Sequence, residues 1–417
     1  MTTRGGSNLV SVPGSKSIAN RALVCAALAK SPSVISNCAP GDDTDALIAA
    51  LRLLGVEVER DANSVRVGGN LDLDSDVELH LDAKLAGTTS RFLTALSCLR
   101  AGVTIIDGQE PLRKRPMIDL HHALRELGAI VEPLGRDGCL PVLVSRAKSW
   151  RAKVSIRANM SSQFTSALMM IAPYLPSGLE ISLSEEVVSR GYIEMTVGVM
   201  RAFGAKTDFV GKEIWVSPGE YEGSKYLVEP DASAASYPLG AVAISGGSVT
   251  IEHLSRNSLQ GDVEFIDLLA RMGCEVVENS TGLQISRDKK AALHGIDVDM
   301  SQISDCVPTM AVVAMFADSP TRISGVGFIR GKESDRIGDL ATELRKLGAN
   351  IVETADGMLI TPTQLRGATL ETHHDHRLAM AFALIRRELS DVVVLNPDVV
   401  AKSWPNYFEV MSAFYIS

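Results

Sequence analysis

Several things are scarce in this chain of 417 residues. Aromatic side chains make up only 5% of it, so a core has to be built from aliphatic residues and alanine. Long apolar runs are missing. Stretches such as 309–317 fall far short of the roughly 20 residues needed to cross a bilayer. Residues 1–8 are polar and carry no secretory apolar segment. Basic charge is not in excess: 41 Lys and Arg face 50 Asp and Glu, a net charge of −9. A nucleic-acid-coating protein carries a basic face instead. The six cysteines (25, 38, 98, 139, 274 and 306) form no Cys-x-x-Cys pair and no zinc spacing. Cys25, Cys98 and Cys306 fall in alanine-rich apolar stretches and read as buried reduced thiols. Nor is there a G-x-x-x-x-G-K-[ST] loop, a G-x-G-x-x-G after a strand, or a G-x-S-x-G elbow. Nucleotide hydrolysis, hydride transfer and serine-esterase chemistry therefore lack a sequence basis. The remaining reading is a cytoplasmic globular protein, with 46% apolar and 22% charged residues.

What the chain has in abundance is repetition. One pattern is a helix end, a glycine and a strand: LRLLGVEVE, LRELGAIVE, MRAFGAKTD, LARMGCEVVE and LRKLGANIVE. Its glycines, Gly55, Gly128, Gly204, Gly273 and Gly348, are spaced 73, 76, 69 and 75 residues apart. Glycine after the last apolar helical turn closes a helix, because it takes left-handed angles without a Cβ clash. A second pattern, a polar turn followed by an alanine-rich helix, starts near Gly14, Ala86, Met160, Pro230, Ser304 and His374. Two interleaved patterns with one period predict six units of about 70 residues, each with two helices and several strands. A repeat that long fits a closed domain better than a solenoid. The sixth unit stops before its glycine module, and the segment 8–12 is the expected source of its missing strand. Chain crossings are expected at Pro13–Gly14 and Glu229–Pro230, where the residues favour turns. The domains expected are thus 14–229 and the discontinuous 1–13 with 230–417.

The helix starts carry unusual residues. Exposed N–H groups and the positive dipole end make such sites attract anions. Ser, Thr or Asp there is ordinarily an N-cap, and Asp231 fits that reading. Lys16, Arg21 and Arg377 do not, since a cation opposes the dipole unless an anion neutralises it. If the units pack with pseudo-symmetry, these starts converge on one cleft. In the basic run LRKRP, Lys114 reads as part of a solvated face, while Pro116 holds Arg115 extended. The run from His373 to His376, HHDH, matches no metal-ligand spacing, and no metal is expected.

Seven segments in register, GSKSIANRAL, LAGTTSRFLTAL, RKRPM, SSQFTSAL, KESDRIGDLATELRKLGA, HDHRLAMAFAL and AKSWPNYFE, resemble the 5-enolpyruvylshikimate-3-phosphate (EPSP) synthase family over nearly the whole chain. The resemblance implies an α/β fold of two domains, each with three βαβαββ units around a pseudo-threefold axis, an inside-out α/β barrel. It implies transfer of the enolpyruvyl group of phosphoenolpyruvate to the 5-hydroxyl of shikimate 3-phosphate, with release of phosphate and no cofactor. A monomer is expected, and two domains joined by two short crossings are expected to hinge closed around the ligands and exclude water. By position, Lys16, Ser17 and Arg21 would meet shikimate, with Lys16 also near phosphoenolpyruvate. Ser161, Ser162 and Ser189 would hold the shikimate phosphate, and Gln163 and Tyr192 would line the ring. Lys332 and Asp305 would complete the shikimate 3-phosphate contacts. Gly87, Arg115, Gln163 and Lys402 would hold the phosphate of phosphoenolpyruvate, and Arg336 and Arg377 its carboxylate. Asp305 would take the hydroxyl proton, Glu333 would handle the methylene proton, and Lys16 would assist departure of phosphate. The small Gly87 implies sensitivity to glyphosate, a mimic of phosphoenolpyruvate. Leu85, Phe92 and Phe328 depart from the family pattern; Phe328 stands where an Asn contacting shikimate is often found.

The chemistry needs this mixture. Two polyanionic substrates require several cations, and the planar fork of arginine suits carboxylates. A related family, UDP-N-acetylglucosamine enolpyruvyl transferase, commonly has a cysteine in the loop before Arg-Pro, and the loop 107–115 has none. A non-catalytic binding protein would be free to lose Lys16, Asp305 or Glu333, and all three are present. An RNA-end-processing protein is disfavoured by the acidic balance.

Overall fold

The computed structural model of the chain describes residues 8–185 and 187–415; residues 1–7, most of the polar N-terminal stretch, lie outside the described residues. The chain divides into two compact units, Gly14–Val228 and Met1–Pro13 with Glu229–Ser417.

The repeat is clearest at 79–145. Strand Leu79–Asp82 leads into helix Gly87–Ser97 and strand Thr104–Asp107, which pairs parallel with the first. Helix Ile118–Leu127 then feeds the antiparallel hairpin of Ile130–Pro133 and Val142–Ser145, whose second strand joins Thr104–Asp107. This is a βαβαββ unit. Four-stranded sheets of the same order recur, two more in the contiguous unit and two in the discontinuous one. The sixth repeat is short, a parallel pair of Thr369–Leu370 and Val393–Val394 around helix His376–Ile385.

Sequence dictates the joints. All five repeat glycines take positive φ, from +87° to +109°. Each donates its N–H to the carbonyl three residues back, closing the helix. The arginine at that same position is the second fastener in four repeats. Arg52, Arg125, Arg201 and Arg345 each donate Nε to the carbonyl six residues on, Val58, Val131, Thr207 and Ile351. In the fourth repeat the arginine sits one place later, and Arg271 donates to Asp297 O instead.

The expected source of the sixth repeat's missing strand is wrong. Asn8–Val10 pairs parallel with Gly247–Glu252 and completes the fourth repeat. Lys225–Leu227, which precedes the fourth repeat in sequence, pairs with Ser33–Ser36 and completes the first. The physical reason lies at the crossings. Each crossing separates a strand from the helix that follows it, so the first and fourth repeats exchange leading strands.

In each unit the three leading helices pack on one another: Lys16–Leu28, Gly87–Ser97 and Ser162–Ile171 in one, Ala232–Ser245, Val307–Ala314 and His376–Ile385 in the other. They are buried almost throughout. Alanine and glycine allow the close approach that scarce aromatics leave to be filled. A Cβ on Gly240 would fall 2.9 Å from Thr309 Cγ2 and 3.2 Å from Val313 Cγ2 on the neighbouring helix. All six cysteines are buried and unpaired. Among the described residues no helix is long and apolar enough to cross a membrane.

Candidate active site

In the contiguous unit the starts of the leading helices are tied together by side chains. Lys16, the first residue of its helix, has Nζ 2.9 Å from Asp43 Oδ2, a buried carboxylate. Arg21, one turn on, is 1% exposed. It donates Nε to Thr196 Oγ1 at 2.7 Å, Nη2 to Ser166 Oγ at 2.9 Å and Nη1 to Ser17 O at 2.9 Å. Its guanidinium also lies over the rings of Phe92 and Tyr192, and burial lowers its pKa to about 10. Arg91 is buried too, donates to Gln163 Oε1 at 2.9 Å and stacks over Phe164.

Gly87 opens its helix where two guanidiniums crowd in. A Cβ there would fall 2.4 Å from Arg91 Nη1 and 2.5 Å from Arg115 Nη1. Glycine therefore lets both cations reach the exposed N–H groups of a helix start, an arrangement suited to a phosphate. Ser161 is the N-cap of the third helix, accepting from Gln163 N at 3.3 Å, and Ser162 follows it, buried. Ser189 stands before helix Arg190–Ala202 in left-handed geometry, φ +53°. Tyr192, three residues on, receives Thr196 Oγ1 at its carbonyl. Lys114 pairs with Glu110 in solvent, as expected of a solvated face.

The discontinuous unit gathers the carboxylates. Arg336, 1% exposed, is its hub. The guanidinium donates Nε to Asp375 Oδ2 (2.7 Å), Nη1 to Asp305 Oδ1 (2.9 Å) and Nη2 to Glu333 Oε2 (2.7 Å). Arg377 Nη2 donates to Asp305 Oδ2 at 2.8 Å. Lys332 Nζ stands 3.9 Å from Asp305 Oδ1, and Lys402 Nζ 3.3 Å from Glu333 Oε1. Asp375 caps helix His376–Ile385 through Arg377 N and also accepts from Ser334. Left-handed angles at His373 and His374 make the turn that sets it there. His373 itself contacts Glu343, 3.0 Å from Nε2 to Oε1. Among the described residues no group of three His, Cys, Asp or Glu is placed to hold a metal.

Charge pairing sets the titration of this cluster. Burial alone would push the Asp305 carboxyl up; Arg377, Lys332 and Arg336 outweigh it and hold the carboxyl well below its usual range. Burial alone would lower the Arg336 pKa; Asp375, Glu333 and Asp305 hold it above its ordinary value. Asp262, buried and bonded by the Ser233 hydroxyl, goes the other way. Burial first and the charge of Asp305 second push its carboxyl up to about 7.

The sequence-predicted residues thus fall into two groups. Lys16, Ser17, Arg21, Gly87, Arg115, Ser161, Ser162, Gln163, Ser189 and Tyr192 lie in the contiguous unit. Asp305, Lys332, Glu333, Arg336, Arg377 and Lys402 lie in the other. Arg91 and Asp375 were visible at helix starts without a role; their spacing from Gly87 and Arg377 was the available signal. Asp262, in the short 3-10 helix Gly261–Glu264, matched no pattern and gave none.

This architecture places the chain among the two-unit α/β proteins to which enolpyruvyl transferases belong. EPSP synthase from Acinetobacter baumannii superposes with a TM-score of 0.81 at 24% identity, covering 99% of this chain and 96% of that one. The enolpyruvyl transferase NikO from Streptomyces tendae gives 0.73 at 19% identity, covering 98% and 95%. At the level of sequence, residues 6–411 match the family described as EPSP synthase (3-phosphoshikimate 1-carboxyvinyltransferase), and the chain belongs to that family. It is 37% identical over 406 residues to the 3-phosphoshikimate 1-carboxyvinyltransferase of a Nostoc species, covering 96% of this chain and 94% of the relative. The corresponding figures are 39%, 96% and 95% for that of Methanosphaerula palustris. For the chloroplastic enzyme of Petunia hybrida they are 38%, 98% and 83%. The chain is accordingly a transferase of aromatic biosynthesis, moving the enolpyruvyl group of phosphoenolpyruvate to shikimate 3-phosphate.

Proposed function

We propose that the transfer runs by addition and elimination, and that the two compact units are two domains, each carrying residues that take part in it. The observation that carries this reading is Asp305, a carboxylate with both oxygens bonded by arginines, Arg336 and Arg377. The same arginines suit the carboxylate of phosphoenolpyruvate. When that second carboxylate shares their charge, less of it depresses Asp305, and the proton affinity of Asp305 rises. A base poised in this way gains strength as its substrate arrives. Asp305 then takes the proton of the 5-hydroxyl as oxygen attacks the central carbon of phosphoenolpyruvate. Glu333, held between Arg336 and Lys402, handles the methylene proton and stabilises the positive charge that develops after protonation.

Lys16 keeps its ammonium against Asp43 and assists departure of phosphate from the tetrahedral adduct. Arg115, Gln163, Lys402 and the bare helix start at Gly87 hold the phosphate of phosphoenolpyruvate. Ser161, Ser162 and Ser189 hold the phosphate of shikimate 3-phosphate, and Ser17, Gln163, Tyr192, Asp305 and Lys332 meet the rest of it. Arg21, whose fork bonds Thr196, Ser166 and Ser17 O, meets the ring and carboxylate of shikimate 3-phosphate together with Ser17. The protein works as a cytoplasmic monomer without a cofactor.

The test is phosphate release from phosphoenolpyruvate, with shikimate 3-phosphate and UDP-N-acetylglucosamine supplied separately. Release with shikimate 3-phosphate alone, and its enolpyruvyl ether by mass, is expected. Release with the nucleotide sugar alone would overturn the reading.

A further inference from the structure

Phe328 lies in the short 3-10 helix Gly327–Gly331, four residues before Lys332. One part of its ring packs against the apolar core of the discontinuous unit. Lys332 Nζ lies over the ring, 5.8 Å from its centroid, and 3.9 Å from Asp305 Oδ1. A lysine side chain has many rotamers to lose and is costly to immobilise. One ion pair at 3.9 Å is a weak restraint, and both oxygens of Asp305 already accept from Arg336 and Arg377. The ring face adds a further contact, since the negative face of an aromatic ring attracts an ammonium within about 6 Å. The core holds the ring, and the ring gives the ammonium a fixed surface to rest on.

We propose that the Phe328 ring seats the Lys332 ammonium beside Asp305, making Phe328 a positioning residue for the shikimate 3-phosphate side of the reaction. The substrate part rests on the assignment of Lys332 made above. At the position where the family resemblance implies a polar contact, this chain aims a neighbouring cation with an apolar shelf.

Two measurements test this. In steady-state kinetics, Phe328→Leu raises KM for shikimate 3-phosphate about two- to fivefold, the scale of a partly exposed cation–π contact, with kcat little changed. Phe328→Tyr keeps the ring face and restores the wild-type value. In a Lys332→Met background, Phe328→Leu adds nothing further. Equal effects of the Leu and Tyr variants, or a full additional effect of Phe328→Leu in that background, overturn the proposal.

The second measurement reads the seat without substrate, by NMR of protein whose lysines carry 13C-methyl groups. The resonance missing from Lys332→Met identifies Lys332. It should lie upfield, from the ring current, in the wild type and in Phe328→Tyr, and return to the ordinary position in Phe328→Leu. An ordinary position in the wild type overturns the seat. An upfield resonance together with an unchanged KM in Lys332→Met keeps the seat and removes Lys332 from substrate binding.

Discussion

The two units carry the same repeat and use it for opposite electrostatic ends. In the contiguous unit the helix starts offer hydroxyls, bare N–H groups and the guanidiniums of Arg91 and Arg115. The corresponding starts in the discontinuous unit offer Asp305 and Asp375, each bonded by Arg336. A helix start with cations and hydroxyls favours a bound anion. One with carboxylates held by arginines favours a proton that moves. On the roles proposed above, one fold element, placed with different first-turn residues, would supply either binding or acid–base chemistry.

The largest test of that contrast is Asp305→Asn. It keeps shape and removes the proposed base, so kcat should fall by about 10²–10⁴-fold, while KM for shikimate 3-phosphate changes much less. A proportionate loss in both would place Asp305 in binding and blur the contrast. Next in size is Gly87→Ala on the other side. Its methyl group would sit within 2.5 Å of both Arg91 and Arg115, the far ends of flexible side chains, so they shift without unfolding the protein. KM for phosphoenolpyruvate should rise about tenfold, the effect of about 1.4 kcal/mol. Glyphosate inhibition should weaken with it, while the melting temperature holds. An unchanged KM would remove the helix start at Gly87 from the phosphate site.

The smallest effect concerns Asp262, whose carboxyl is pushed up to about 7. The folded state binds a proton there that the unfolded state releases near pH 4. Below pH 4 the contribution is fully present, and stability is lost as pH rises through 7. Asp262→Asn cannot lose that proton. Its melting temperature relative to wild type should therefore climb between pH 5 and pH 8, by a few degrees. Parallel curves would show that Asp262 does not titrate in this range.

Much of this was legible in the sequence, and for local reasons. Gly55, Gly128, Gly204, Gly273 and Gly348 announce the repeat because a left-handed residue after a helix is a one-residue requirement. Lys16 and Arg377 stand out because a cation at a helix start needs a reason. What stayed hidden was non-local. Nothing in Asn8–Val10 says which edge it joins, since a parallel pair carries no turn to fix its partner. The sequence likewise marks Arg336 as basic but not as buried among three carboxylates. Its importance to stability appears only with the structure: breaking such a buried network by removing one partner typically costs about 3–5 kcal/mol. The arginine fasteners were in plain view three residues before the glycines, yet their role depends on a carbonyl in the next strand.

The exchanged strands bear on how the chain emerges from the ribosome. The unit Gly14–Val228 is continuous, and its last edge strand, Lys225–Leu227, arrives as its final piece. It is able to close as soon as that stretch is out. Asn8–Val10 is made before the whole of that unit and waits for Gly247–Glu252. At about 5–20 residues per second, that wait lasts on the order of ten to fifty seconds. Through it, a segment synthesised ahead of that unit is an unclaimed β-edge, tethered to a unit that folds without it.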